Sequence, residues 1–132
     1  MVGLSYILDT NVVAHYLNDT MPTKTRIDDA LQQRNRVYLC QPVHYEVLRG
    51  LLKANAIRKL RAFQEIFMPQ LIWLALEDED WQQAAVFWSD TRKRGRQLSD
   101  TDLLIAALTL RIGGILVTAD NDFEALPIPR EN

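Results

Sequence analysis

The chain has 132 residues, of which 48% are hydrophobic and 24% charged, with a formal net charge of −2. The length suits one domain over residues 1–132 with a real core, the composition excludes a disordered chain, and the charge excludes nucleic-acid binding through a global positive field. A single cysteine, Cys40, leaves no internal disulfide and no cysteine-built zinc site, a usage that fits a reducing cytoplasm.

In chain order, Leu4–Leu8 is a short apolar run closed by a polar turn, which predicts a buried first strand. The same N-terminal stretch lacks a basic leader region and is too short to span a bilayer, so neither a signal peptide nor a membrane segment is expected. Asp9-Thr10-Asn11 supplies helix caps before a helix over Val12–Leu17. A second helix is expected from Pro22 to Arg34 and a second strand over Val37–Cys40. Pro42 suits a helix first turn, and Val43, Val47, Leu48, Leu51 and Leu52 form one stripe behind it.

A further helix covers Ala56–Phe67, with Ile57, Leu60, Phe63, Ile66 and Phe67 apolar, and Pro69 stops it. Leu71–Leu76 reads as a third strand. Asp78 or Asp80 is the expected cap of a long helix reaching Arg94, with Trp81, Ala84, Ala85 and Trp88 on its inward side. Ser99 opens the last helix, which ends at Gly113-Gly114. Ile115–Thr118 is a fourth strand, Asp120-Asn121-Asp122 a polar loop, and a short fifth strand is expected near Leu126–Ile128. Alternating strands and helices predict an α/β fold with a mostly parallel sheet of four or five strands flanked by helices. In such sheets ligands sit beyond the carboxyl ends of the strands, where the strand order reverses.

Four acids stand out against this frame. Asp9 follows the first strand and opens a helix, a place where aspartate also serves as a plain cap. Glu46 falls just outside its helix's apolar stripe, beside Val43 and Gly50, and Gly50 leaves room next to it; its ordinary role would be a surface pair with Arg49 or Arg34. Ser99-Asp-Thr-Asp102 has the form of a capping box, yet the helix that follows is apolar nearly all round, so Asp102 is expected to point inward with Ile105, Ala106 and Thr109. Asp120 follows the fourth strand, with Asp122 a second candidate in the same loop; either also suits a turn.

The set says more than its members. Asp9 and Asp120 end strands, Asp102 starts a helix at the same edge, and Glu46 follows the second strand by about one and a half turns. Four such carboxylates repel one another unless a cation joins them. With no histidine or cysteine cluster beside them, an all-oxygen site suits Mg²⁺ or Mn²⁺ rather than zinc. Such ions lower the pKa of a bound water and cleave phosphodiesters, often as a pair about 3.5–4 Å apart. The basic clusters Arg92, Lys93, Arg94, Arg96 and Lys53, Arg58, Lys59, Arg61 are the places to hold a phosphate backbone, although either run alone reads as a solvated helix face.

Leu-Asp9-Thr-Asn11, His-Tyr-Glu46-Val-Leu-Arg-Gly50, Asp102-Leu-Leu-Ile-Ala-Ala and Leu-Val-Thr118-Ala-Asp120-Asn-Asp122-Phe, in that order, resemble the PIN-domain ribonucleases, and among them the VapC toxins of bacterial toxin–antitoxin pairs. The resemblance spans nearly the whole chain. It implies a small doubly wound sheet, with Asp9, Glu46, Asp102 and Asp120 as catalytic and metal-binding acids and Asn11 and Thr118 as polar helpers. It also implies dependence on Mg²⁺ or Mn²⁺, attack of a metal-activated water on RNA phosphorus leaving 5′-phosphate and 3′-hydroxyl ends, a homodimer, and a tight antitoxin partner. Many relatives have a longer last loop; here Asp120 and Asp122 are only two apart, and both stay open as the fourth acid, with Asp120 preferred.

Other chemistries lack their residues. His44-Tyr-Glu46 matches half of a zinc deaminase, but its Pro-Cys-x-x-Cys partner is missing. There is no glycine-rich dinucleotide motif, phosphate loop or nucleophile elbow. His15 and His44 read as helix-surface or core residues, Trp81 and Trp88 as core before partner contact, and Phe63 and Phe67 as core or dimer surface. The competing function is a catalytically inert α/β module that binds RNA or a protein, with its acids serving only as caps and turns.

Overall fold

The computed structural model describes residues 3–132; Met1 and Val2, which belong to the stretch read against a leader, lie outside them. Five parallel strands form one sheet in the order β3-β2-β1-β4-β5, with β1 Ser5–Leu8, β2 Arg36–Cys40, β3 Ile72–Leu74, β4 Ile115–Val117 and β5 Arg130–Glu131. From β1 the chain steps outward to β2 and β3, then returns to lay β4 on the other flank of β1. The order therefore reverses between β1 and β4, the crevice expected to hold a ligand.

Within the described residues six α-helices connect and cover the strands: α1 Thr10–Leu17, α2 Thr23–Gln32, α3 Gln41–Lys53, α4 Ile57–Arg61, α5 Asp78–Lys93 and α6 Asp100–Ile112. Among the described residues no helix is long and apolar enough to cross a membrane. Pro42 sits in the first turn of α3, where its missing N–H costs nothing. The expected helix over Ala56–Phe67 exists, but α4 gives way at Ala62 to a wider π-helical turn through Phe67. That turn sends Phe63 and Phe67 into the core, while Ile57, Ile66 and, on α3, Leu52 stay exposed. Phe67 stacks on Tyr16 of α1 with ring centroids 4.0 Å apart.

α6 is the buried helix the sequence indicated: Leu103 through Thr109 are all buried. It ends at Gly113, whose φ of +63° is the left-handed cap conformation that glycine adopts without strain. At Gly114 the constraint is space, since a Cβ there would press into the Ile7 side chain of β1.

Three expectations need correction. The fifth strand is not at Leu126–Ile128 but at Arg130–Glu131, and Leu126 and Ile128, on either side of Pro127, are instead buried in the core. The cap of α5 is neither Asp78 nor Asp80 but Glu77; Asp80 closes a capping box by accepting the Glu77 N–H at 2.8 Å. Trp81 and Trp88 are not core: they are 56% and 44% exposed, and Asp80, Ala84, Phe87 and Thr91 face inward in their place.

Candidate active site

The carboxyl ends of β1 and β4 place Asp9 and Thr118 side by side. Asp9 is 4% and Thr118 3% exposed, and the Thr118 hydroxyl donates to Asp9 Oδ2 at 2.7 Å. The same hydroxyl oxygen accepts the Asp120 N–H at 3.0 Å. Thr118 thus ties the acid after β1 to the loop after β4. Asn11 adds a second tie, as its amide donates to Asp9 Oδ2 at 3.3 Å and its carbonyl accepts the Ala119 N–H at 3.2 Å. Asp9 is also the cap of α1, accepting the Thr10 N–H at 2.8 Å, so its capping and site roles share one side chain.

Glu46 reaches the same edge from α3. It accepts the Thr10 hydroxyl at 2.6 Å and stands 3.4 Å from Arg49, while Arg34 is not its partner. The Thr10 contact was not expected from the sequence: a threonine between two motif residues carries no pattern, and only the approach of α1 to α3 brings it to Glu46. Asp102 enters from the first turn of α6. Ser99 caps that helix by accepting the Asp102 N–H at 3.1 Å; the return bond that would complete a capping box is not formed among the described residues. Asp120 is half-buried and accepts the Asp122 N–H at 2.9 Å, while Asp122 itself is exposed.

Electrostatics shows that these acids share one region. Burial pushes the Asp102 carboxyl up to about 6, the charge of Asp9 adds to it, the Ser99 hydroxyl opposes it, and Asp120 and Glu46 raise it further. Asp9 is likewise raised, first by burial, against the hydrogen bonds from Thr118 and Thr10, and with added repulsion from Glu46 and Asp120. At the floor of the site burial pushes the Cys40 thiol up to about 12, so it is a neutral packing group.

This destabilisation is measurable without metal. The folded pKa of Asp102 lies above its unfolded value of 3.8, so the native state holds the proton more tightly. The penalty is absent below the unfolded value, grows as pH rises towards about 6, and is complete above it. Between about pH 5 and pH 7.5 the metal-free protein is expected to lose ~1 kcal/mol of stability from this group, once solvent screening of a half-buried carboxylate is allowed for. Urea unfolding of wild type and Asp102→Asn across that range checks it: the variant should show a flatter profile, and parallel profiles would count against the shift.

Among the described residues no three His, Cys, Asp or Glu side chains close on one point as a ready coordination shell. The donor set still fits a hard divalent cation. It is all oxygen, the charges of its members help raise the pKa of Asp9 and Asp102, and among the described residues Arg49 is the cation in ion-pair contact with it, at Glu46. Mg²⁺ is commonly held by one or two carboxylates and keeps several waters, which can span to the rest.

His44 packs in the expected way, stacked on Phe63 and edge-on to Trp73. In the basic clusters, Arg94 is tied to Asp90 and to the Ala125 carbonyl, and Arg92 lies over the Trp88 ring.

A family model for the PIN domain matches residues 6–129. Two curated relatives, the VapC ribonuclease Mb1587 of Mycobacterium bovis and the ribonuclease VapC11 of Mycobacterium tuberculosis, are each 32% identical over 97 residues, covering 72% of this chain and 69% of theirs. Among solved structures, VapBC2 from Rickettsia felis bound to a promoter DNA fragment superposes with a TM-score of 0.87 at 21% identity over 98% of both chains. DNA-bound VapBC from Salmonella typhimurium superposes with a TM-score of 0.84 at 23% identity over 97% of both. These superpositions establish the fold, and the family model, matching residues 6–129, together with the VapC relatives shows that the chain belongs to the PIN-domain family.

Proposed function

We propose that residues 1–132 act as one metal-dependent endoribonuclease domain, the toxin of a toxin–antitoxin pair. The observation that carries this reading is the cluster of Asp9, Glu46, Asp102 and Asp120 at the switch point of the sheet, where burial and the charges of the neighbouring acids raise the pKa of Asp9 and Asp102. Asp9, Asp102, Glu46 and Asp120 would hold Mg²⁺ or Mn²⁺. A bound divalent ion would supply positive charge for phosphate oxygens and acidify water at the site.

The chain's own part is to place and fix the acids. Thr118 and Asn11 hold Asp9, Thr10 holds Glu46, and the Ser99 cap sets the first turn of α6 that carries Asp102. Asp120 is the preferred fourth acid, because its charge reaches Asp9 and Asp102 while Asp122 faces solvent. Water attacking phosphorus with loss of the 3′ oxygen leaves 5′-phosphate and 3′-hydroxyl ends. The name of the VapC ribonuclease relatives supports RNA as substrate, and the VapBC complexes support an antitoxin partner. A homodimer in the cytoplasm completes the reading; the exposed Trp81 and Trp88, flanking a 310 Å³ groove over Ala84 and Leu104, offer a surface to a protein partner.

The test is metal removal and return. Stripped with chelator, the protein should cut no RNA; restoring Mg²⁺ or Mn²⁺ should restore cutting. At an ion concentration about 100 times the dissociation constant, binding should add ~2.7 kcal/mol of stability, visible as a rise of several degrees in melting temperature. The inert-module reading draws on the caps that Asp9 and Asp120 do provide. It expects neither cleavage nor a metal-induced shift, and a clean preparation showing neither would establish it instead.

A further inference from the structure

Beside the acids lies a pocket that the nuclease reading does not use. It measures about 210 Å³ and opens between α1, α3 and α4, sharing Thr10 and Glu46 with the acidic cluster. Its apolar wall is aliphatic: Val47 is buried, Leu17 and Leu51 half-buried. At its rim stand the Asn18 amide and the Lys59 ammonium, neither with a side-chain partner among the described residues. An apolar hollow with a few convergent polar groups is the usual form of a ligand site, and this volume suits one flat ring rather than a whole nucleotide.

Gly50 explains why the hollow exists. It sits within α3, one helical turn after Glu46, where glycine costs helix stability relative to alanine. Neither packing nor backbone conformation calls for it, since a Cβ there would meet nothing within 4 Å and its φ is not left-handed. A helix former would cost the fold nothing at this position, but its side chain would fill the pocket.

We propose that this pocket receives one nucleobase of a single-stranded RNA, next to the phosphate at the acidic cluster, with Lys59 on the adjoining phosphate. The inference rests on the nuclease reading for the choice of RNA. Three observations select a base and its phosphate as the occupant: the pocket is continuous with Glu46, its walls are apolar, and its free charge is positive. Asn18 would meet the polar edge of the base with a donor and an acceptor, as RNA readers do for unstacked bases. A base drawn out of the strand in this way would bring the next phosphodiester to the carboxylates and give the enzyme a preference beside its cut.

The test is RNA binding on the Asp9→Asn background in Mg²⁺, where binding does not end in cleavage. The probe is a single-stranded oligoribonucleotide of about twelve residues, scanned with one abasic position at a time by fluorescence anisotropy. One abasic position should weaken binding by about tenfold, the effect of returning a modest apolar area to water. Adding Gly50→Leu should weaken the intact oligonucleotide by a similar factor, and that abasic position should then cost nothing more. Lys59→Gln should lower the slope of log affinity against log salt by about 0.7. Gly50→Leu should melt no lower than its parent, which separates a blocked pocket from a damaged fold. Wild-type-like binding by Gly50→Leu, additive losses in the scan, or no RNA binding at all would overturn the proposal. So would a pocket whose filling spares RNA but releases a protein partner. RNA held through the pocket by a wild-type chain that cuts nothing would sink the nuclease reading and leave this one standing.

Discussion

Asp9→Asn is expected to abolish RNA cleavage while leaving a folded protein. The two halves of the expectation come from different atoms. Asp9 Oδ1 accepts the Thr10 N–H at 2.8 Å, and an asparagine carbonyl oxygen can take over that cap. Oδ2 accepts the Thr118 hydroxyl at 2.7 Å and the Asn11 amide at 3.3 Å. An asparagine NH₂ there faces two donors. The Thr118 hydroxyl can turn and accept, but the Asn11 contact is lost. A lost hydrogen bond costs ~1 kcal/mol, and relief of the repulsion from Glu46 and Asp120 offsets part of it.

The melting temperature should therefore move by only a few degrees. Cleavage should fall more than about a hundredfold, because removing even an outer partner of a metal ligand costs 10–100-fold and Asp9 is proposed as a ligand itself. Cleavage retained by a clean preparation of this variant would defeat the assignment of Asp9. A variant that fails to fold would show instead that the cap is the residue's main task.

The sequence was most legible where periodicity and chain ends agree. A short apolar run ending in Asp9, and another ending in Thr118, mark β1 and β4, and two strand ends in a parallel sheet lie at one edge by construction. That is why acids more than a hundred residues apart in sequence could be assigned to one site. Asp102 was legible because an all-round apolar helix leaves its first-turn carboxylate little but the interior. β5 was not legible, because a two-residue edge strand between prolines and polar residues has no pattern of its own.

The tryptophans show a deeper limit. The expected inward stripe of α5 was Trp81, Ala84, Ala85 and Trp88; the observed one is Asp80, Ala84, Phe87 and Thr91. Both have helical spacing and share Ala84. Hydropathy favours the first, since it buries two indoles, whereas the second buries a charge. What turns the helix is a partner 31 residues further on, Arg111 near the end of α6, and no local pattern can reveal a long-range ion pair. Thr91, next on the inward face, meets its own need by donating to the Phe87 carbonyl at 2.8 Å.

That ion pair sets the second large expectation: Arg111→Ala should strip stability from the protein and spare its chemistry. Asp80 is 1% exposed, and its Oδ1 accepts Arg111 Nε at 2.9 Å. The same guanidinium donates to the Ala75 carbonyl at 3.0 Å and lies 3.6 Å from Glu77, so it clamps α6 to the entry of α5. Removing one partner of a buried pair costs ~3–5 kcal/mol, mostly because the other charge is left buried. Here the lower end applies, since Asp80 keeps the Glu77 N–H and Arg111 is itself 20% exposed. A loss near ~3 kcal/mol should lower the melting temperature by about 10 °C.

Asp80→Asn added to Arg111→Met should recover much of that loss. An asparagine oxygen keeps the capping bond, no charge is stranded, and methionine fills the guanidinium stem's place. Asp102 lies nine residues earlier on α6, about 13 Å along the axis. Metal-dependent cleavage by Arg111→Ala, measured well below its melting point, should therefore stay near the wild-type rate. Urea midpoints and cleavage rates on Arg111→Ala, Arg111→Met and the Asp80→Asn/Arg111→Met double decide it. A shift in midpoint too small to resolve would mean that water reaches Asp80 and the pair is not a clamp. A loss of cleavage in the folded single variant would mean that the far end of α6 positions Asp102 after all.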